Sequence, residues 1–210
     1  MNYLGVKPLK NKIVDDFIAN NNLFAIFNKF PINVIFLDNF INNIDLFRDI
    51  FVQNSMHENI FFSCKSNKSY ALLKTAVEQN CGIEVSSYYE LIDALKYTKK
   101  IIASGPAKEY DYLSCAIQND IIISVDDIEE LQEIKKFRKK VNVMLRISDL
   151  LGIVSRFGIN ISQIDECMEI IKKSKIQLIG LSFHINNYNL NDRIKAIKQL
   201  INIIKDKKLN

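Results

Sequence analysis

Short apolar segments recur along this sequence at intervals of about 20 residues, and this repetition constrains the fold more than any other feature. The segments occupy residues 60–65, 82–86, 101–105, 121–125, 141–147 and 177–185. Each of the first four is followed by a segment with helical periodicity, and further helices are predicted from about Ser162 and over residues 192–207. Short continuous apolar strands that alternate with helices are typical of a parallel sheet covered by helices. The sequence therefore predicts an α/β fold.

The region before the first of these segments is expected to be peripheral. Residues 1–30 are interpreted as a lead-in that contains a short helix over 15–20, and residues 31–210 as the main domain. Within the start of that domain, residues 32–37 are predicted to form a strand. Asp38 is then a candidate N-cap for an amphipathic helix over 39–53, because a short polar side chain can accept a bond from the first free amide groups of a helix.

Composition excludes several classes of function. The chain has 210 residues, 48% of them apolar and 25% charged, which is enough for one large core. The net charge of +4 is not concentrated in any stretch, so no nucleic-acid surface is expected. No apolar run approaches the roughly 20 residues of a membrane span, and we see no signal-peptide pattern.

The cysteines and histidines give no metal-binding pattern. There are only two histidines, and the four cysteines are widely spaced, without a CxxC pair. No metal site is therefore expected. We interpret the cysteines as reduced and the protein as cytoplasmic.

Polar side chains lie at or after the ends of the apolar segments or, for one glutamate, inside a segment. They are Lys65, Glu84, Glu90, Arg146 and His184. Because ligand-binding groups of parallel α/β sheets collect at the carboxyl ends of the strands, we expect these side chains to share one edge of the sheet. The pattern indicates a functional site at that edge.

Lys65 is the most unusual of these residues, since a short apolar run ends in this one lysine just before a polar turn. Lysine is almost never fully buried unless it is paired. A partly desolvated lysine amine is a nucleophile toward carbonyl groups. The alternative is a lysine that extends into solvent from the end of a strand.

The strand ends, in this order, resemble those of the fold-type III pyridoxal-phosphate enzymes, and most closely those of the ornithine/diaminopimelate/arginine decarboxylase family. The motifs that carry the resemblance are Phe-Ser-Cys-Lys-Ser-Asn at 62–67, Gly-Ile-Glu-Val-Ser-Ser at 82–87, Gly-Pro-Ala-Lys at 105–108, Val-Asp-Asp at 125–127, Leu-Arg-Ile at 145–147, Ser-Arg-Phe-Gly at 155–158 and Ser-Phe-His at 182–184. The resemblance implies an alanine-racemase-like TIM-type (β/α) barrel. It also implies the cofactor pyridoxal 5'-phosphate.

The resemblance also implies roles for individual residues. Lys65 would hold the cofactor as an internal aldimine, and His184 would stack on the pyridine ring. Glu84, at a position where the family usually has aspartate, and Arg146 would place charges around the ring; an ordinary ion pair between strands is the alternative. Asn187 stands where the family usually has a serine that holds the phosphate, and its amide can still donate a hydrogen bond. The reaction would be decarboxylation, or racemisation, of an amino-acid substrate.

The 210 residues account for only part of such an enzyme. We count about six of the eight βα units of the barrel, so the barrel is expected to be incomplete. The glycine-rich loop of the seventh strand, the acidic cofactor partner on the eighth and the C-terminal β-domain are absent from these residues. Open strand edges and an exposed apolar interior would then indicate either a fragment of a split or truncated gene, or a barrel that closes with another chain, in a homodimer or with a complementing chain.

Two other interpretations remain open at this point. The first is a truncated, non-catalytic remnant or complementing subunit of such an enzyme. The second is an unrelated phosphate-binding barrel in which Lys65 is a solvated lysine.

Overall fold

The computed structural model describes residues 12–22, 25, 33–152, 155–185 and 189–209. The backbone divides into two compact units, Met1–Phe36 and Leu37–Asn210. Helix α1 (Lys12–Asn20) belongs to the first unit, in which the rings of Phe17 and Phe36 pack edge to face with centroids 5.4 Å apart. All other elements named below belong to the second unit.

The strand predicted over residues 32–37 is wrong. Residues 33–36 have no regular secondary structure, and residue 32 lies outside the described part of the chain. Helix α2 begins at Leu37 and ends at Gln53, so Asp38 lies inside its first turn and does not precede it. A carboxylate in the first turn interacts favourably with the positive end of the helix dipole, which supports an earlier start of the helix.

Six strands form one parallel sheet, and their order in the sheet is their order in the sequence. The strands are β1 Phe61–Ser63, β2 Gly82–Val85, β3 Ile101–Ala103, β4 Ile122–Val125, β5 Val141–Arg146 and β6 Ile176–Ser182. The helices are α3 Tyr70–Glu78, α4 Tyr88–Leu95, α5 Tyr110–Gln118, α6 Ile128–Lys136, α7 Ile164–Lys172 and α8 Leu190–Asp206. Short 3₁₀ helices occupy Leu150–Gly152 and Ile161–Gln163. The predicted alternation of strands and helices is confirmed.

The core lies between the sheet and the helices that cover it. Ile83 and Val85 of β2, and Ile123 and Val125 of β4, are fully buried there. Because successive side chains of a strand point to opposite faces, Glu84 between Ile83 and Val85 points to the other face of the sheet. That face would be the interior of a closed barrel. Within the described residues the sheet is open, with β1 and β6 at its edges.

The turns that follow β2 and β4 are built in the same way. After β2, the Ser87 side chain accepts a hydrogen bond from the backbone N–H of Glu90 (3.3 Å), and Glu90 Oε2 accepts one from the backbone N–H of Ser86 (2.8 Å). The corresponding residues after β4, each 40 positions later, are Asp126, Asp127 and Glu130. These bonds occupy amide groups that a helix start leaves free, so both turns are fixed at the carboxyl edge of the sheet.

None of the helices within the described ranges is long and apolar enough to cross a membrane.

Candidate active site

The predicted site residues that the structure describes all lie at the carboxyl edge of the sheet. Lys65 follows β1, Glu84 is in β2, Arg146 ends β5 and His184 lies two residues beyond β6. Lys65 and His184 are exposed and follow the two edge strands. The fifth predicted residue, Asn187, is outside the described residues. Its predicted contact with phosphate stays a prediction.

The amine of Lys65 has no hydrogen-bond or ion-pair partner in the part of the chain that the structure describes. It follows Cys64, whose backbone N–H donates to the backbone oxygen of Glu84 at 2.9 Å. This bond continues the pairing of β1 with β2, in which Ser63 lies beside Glu84. The turn that carries Lys65 therefore begins next to Glu84.

Glu84 is held by hydroxyl groups on both sides. Ser63 of β1 donates its hydroxyl hydrogen to Glu84 Oε2, and Ser104, which follows β3, donates to Glu84 Oε1. Both oxygens of the carboxylate are therefore occupied by neighbours from the adjacent strands. Neither serine was identified as part of the site from the sequence.

Arg146 forms its ion pair with Asp126 and not with Glu84. Arg146 Nη1 is 2.7 Å from Asp126 Oδ1, and both side chains are mostly buried. The other carboxylate oxygen of Asp126 accepts a hydrogen bond from the backbone N–H of Gly158 at 3.3 Å. The guanidinium group of Arg146 also lies 5.5 Å from the centre of the Phe157 ring, within the range of a cation–π contact. The alternative interpretation, an ion pair between strands formed by Glu84 and Arg146, is not the arrangement in the structure, because the partner of Arg146 is Asp126, the residue that follows β4.

Gly158 allows the loop after β5 to approach Arg146 closely. Its φ angle is +97°, and a Cβ atom there would lie 2.9 Å from the backbone oxygen of Arg146. A side chain would therefore strain both the backbone conformation and this contact. In this loop Arg156 lies over the ring of Phe157, with 4.8 Å between the guanidinium carbon and the ring centre.

A buried ion pair next to this group was missed in the sequence. Lys108 Nζ is 2.6 Å from Glu130 Oε1, and only 1% and 4% of the two side chains are exposed. The amine also donates to the backbone oxygens of Gly105 and Ser124, each at 2.7 Å. Because Glu130 Oε2 accepts from the backbone N–H of Asp126, the pair links the ends of β3 and β4 to the carboxylate that holds Arg146.

A signal for this pair was present in the sequence. Lys68 and Glu90 are separated by the same number of residues as Lys108 and Glu130, and each lies 40 positions before its counterpart. Lys68 also pairs with Glu90, at 3.1 Å, but its side chain is 75% exposed. Spacing could have identified both pairs, whereas the burial of only the second pair is a property of the folded chain.

Burial governs the titration of several groups at this edge. It raises the pKa of Glu130 above the ordinary carboxyl value of 4.5, and the charge of Lys108 opposes this effect. Burial, with smaller contributions from nearby carboxylates, raises the pKa of the Cys64 thiol to about 11. In the part of the chain that the structure describes, no three His, Cys, Asp or Glu side chains form a group that could hold a metal ion.

Comparisons with known proteins give the family. Residues 37–209 match the family described as pyridoxal-dependent decarboxylase, pyridoxal binding domain. An uncharacterised protein of Sinorhizobium fredii is 26% identical to the chain over 182 residues, which are 83% of this chain and 40% of that protein. A probable ornithine decarboxylase of Dictyostelium discoideum is 23% identical over 145 residues, which are 65% of this chain and 32% of that protein. The chain thus spans less than half the length of either of these relatives.

The fold agrees with this match. The crystal structure of diaminopimelate decarboxylase from Helicobacter pylori, complexed with L-lysine, superimposes with a TM-score of 0.78. The superposition covers 88% of this chain and 52% of the other, at 21% sequence identity. At this identity the similarity is one of fold, and it agrees with an incomplete barrel. The extent of the family match shows that this chain belongs to the pyridoxal-dependent decarboxylases and carries their pyridoxal-binding domain.

Proposed function

We propose that this chain is the N-terminal barrel part of a pyridoxal-phosphate-dependent amino-acid decarboxylase-like enzyme and that Lys65 binds the cofactor covalently. The observation that carries the proposal is the exposure of Lys65 and the availability of its amine. Lys65 is exposed at the carboxyl end of β1, its amine has no partner among the residues that the structure describes, and the domain matches a pyridoxal-binding family. Carbonyl compounds attach to lysine through a free amine, so a lysine held in an ion pair would be less suited to this role.

The described residues fit the aldehyde and ring portions of this cofactor. Lys65 offers the amine, and His184 offers an exposed imidazole beyond the other edge strand. Glu84 and Arg146 place one carboxylate and one guanidinium group at the edge between them, and both are fixed by hydrogen bonds. We assign the phosphate contact to Asn187, whose amide can donate a hydrogen bond.

The chemistry of the bound cofactor defines the reaction class. When bound, pyridoxal phosphate supplies an electron sink for breaking a bond to the α-carbon of an amino acid. The chain's own residues would bind and orient: Lys65 holds the aldehyde carbon, His184 packs against the ring face, and Glu84 and Arg146 fix the charges beside the ring. The substrate is an amino acid, and we propose decarboxylation as its reaction because the named relative is a probable decarboxylase. The four free cysteines agree with a cytoplasmic location.

The proposal is tested by locating the cofactor on the chain. Pyridoxal phosphate is added to the purified protein, the covalent link is reduced with borohydride, and the modified peptide is identified by mass spectrometry. We expect the label at Lys65 and its complete loss in Lys65→Ala. Lys68→Ala is the matched control, because Lys68 is three residues away and its side chain is 75% exposed. Label that persists in Lys65→Ala, or that is scattered over surface lysines, would contradict the assignment.

A second candidate is a non-catalytic remnant or a complementing subunit, and helix α8 favours it. Four apolar side chains on α8 are 42–68% exposed: Leu190, Ile194, Ile197 and Ile201. The opposite side of α8 is buried, and among the described strands β6 pairs with β5 alone. A helix that is apolar on both sides is normally buried on both sides.

Under this second candidate, another chain covers α8 and continues the sheet at β6. That chain is either a second copy or one that supplies the remaining barrel strands and the β-domain. The labelling experiment separates the two candidates. If the second candidate is right, the chain alone gives no label at Lys65. Label then appears after co-expression with a chain that carries the remaining βα units.

A further inference from the structure

The two serines that hold Glu84 have a role that the family match does not assign. Ser63 comes from the strand on one side of Glu84, and Ser104 follows the strand on the other. Together they occupy both oxygens of a carboxylate that lies beside the start of the Lys65 turn. A lone carboxylate at that position would ordinarily pair with the nearest lysine, because opposite charges on adjacent strands attract.

Two other carboxylates, Glu90 and Asp93 on α4, already have partners. Glu90 pairs with Lys68, and Asp93 pairs with Lys96. Asp93 also accepts a hydrogen bond from the hydroxyl of Tyr70. Arg146 is paired with Asp126 and not with Glu84. Within the described residues, Lys65 has no carboxylate partner, and the hydroxyl groups of Ser63 and Ser104 hold the carboxylate of Glu84, which lies opposite the end of β1 in the sheet.

We propose that Ser63 and Ser104 are positioning residues that keep the Glu84 carboxylate away from Lys65. In this arrangement the Lys65 amine stays available to a carbonyl group, while the carboxylate keeps a fixed place between β1 and β3. Without the two hydroxyl groups, Glu84 turns toward Lys65 and forms an ion pair that occupies the amine. The inference deepens the proposed function and rests on it for the identity of the carbonyl compound.

The test measures the reactivity of Lys65 without any cofactor. Trace acetylation with acetic anhydride at pH 8 is followed by peptide mass spectrometry, with the exposed Lys99 as the internal reference. In the double variant Ser63→Ala/Ser104→Ala, we expect the reactivity of Lys65 relative to Lys99 to fall by about threefold to fivefold, the effect of an exposed ion pair. Adding Glu84→Gln should restore it, because a neutral amide forms no ion pair.

Ser124→Ala is the matched control. Its hydroxyl oxygen lies 3.0 Å from that of Ser182 on the same sheet, whereas the hydroxyl groups that Glu84 accepts from are those of Ser63 and Ser104. We expect the reactivity of Lys65 to stay within twofold of the wild type in this variant. An equal fall in Ser124→Ala, no fall in the double variant, or no restoration by Glu84→Gln would each overturn the inference.

The outcome for this inference is separate from that for the proposed function. If pyridoxal phosphate labels Lys65 in the wild type but the double variant acetylates normally, the positioning role is wrong and the proposed function stands. If acetylation changes as expected but pyridoxal phosphate never labels Lys65, the serines do position Glu84 and the proposed cofactor is wrong.

Discussion

Replacing Lys108 by methionine removes the cation from a buried ion pair, and we expect this change to destabilise the fold by about 3–5 kcal/mol. The stem of methionine fills most of the space of the lysine stem, so the lost interactions are mainly polar. The Glu130 carboxylate loses a partner at 2.6 Å, and the backbone oxygens of Gly105 and Ser124 each lose a donor at 2.7 Å. A buried charge left without a partner accounts for most of the cost.

Lys68→Met is the matched control, because it removes the equivalent lysine 40 positions earlier from its pair with Glu90. Lys68 is 75% exposed, so its ion pair is screened by solvent. We expect this variant to lose no more than about 1 kcal/mol. The two substitutions are chemically identical, and the difference between them measures the effect of burial.

A double-mutant cycle isolates the interaction. In Lys108→Met/Glu130→Gln the unpaired carboxylate is replaced by a neutral amide. We therefore expect the double variant to be less destabilised than the sum of the two single variants, by about 2 kcal/mol or more. The free energy of unfolding is measured by urea titration monitored by circular dichroism. With a slope of about 2 kcal/mol per molar urea, Lys108→Met should lower the unfolding midpoint by about 1.5–2.5 M.

The cost of Lys108→Met should also depend on pH. Since burial raises the pKa of Glu130 above 4.5, the carboxyl group favours the folded state most when it is protonated, and this advantage is lost as the pH rises through its folded pKa. Without Lys108 its charge no longer opposes that effect, and the hydrogen bond from the backbone N–H of Asp126 is the smaller opposing contribution that remains, so the destabilisation should be larger at pH 8 than at pH 5. Equal losses for Lys108→Met and Lys68→Met, or a loss that grows toward pH 5, would refute the reasoning.

Two further predictions concern the loop after β5 and the thiols. Gly158→Ala should cost at least about 2 kcal/mol in urea unfolding, since its Cβ would lie 2.9 Å from the oxygen of Arg146 at a φ of +97°. Gly152→Ala, with a φ of +69° and no atom within 4 Å, should cost only about 1 kcal/mol, and the reverse order would contradict the structure. The pKa of Cys64 and Cys167 is raised by burial from 9.0 to about 11, so iodoacetamide at pH 8 should alkylate them at least about 100-fold more slowly than in the urea-unfolded chain. Equal alkylation rates, followed by peptide mass spectrometry, would show that these thiols are accessible.

Part of the fold was predictable from the sequence because its causes are local. Each βα unit carries its own apolar strand and its own amphipathic helix, so hydrophobic periodicity predicted all six strands of the sheet. The motifs at the strand ends indicated the family, which the match over residues 37–209 confirms. The strand predicted over 32–37 failed because a short apolar run does not distinguish a strand from the start of a helix.

The sequence by itself thus determined the α/β architecture, the family and the edge of the sheet where the polar groups collect. Only the tertiary structure decided which of these groups are partners. Arg146 pairs with Asp126, Glu84 is held by Ser63 and Ser104, and these partners come from different strands. The physical reason is that a partner is chosen by strand register and loop conformation, which align residues about 20 positions apart to within a few ångströms. Burial adds the second distinction, since it separates the pair of Lys108 from the pair of Lys68 although their sequence spacing is the same.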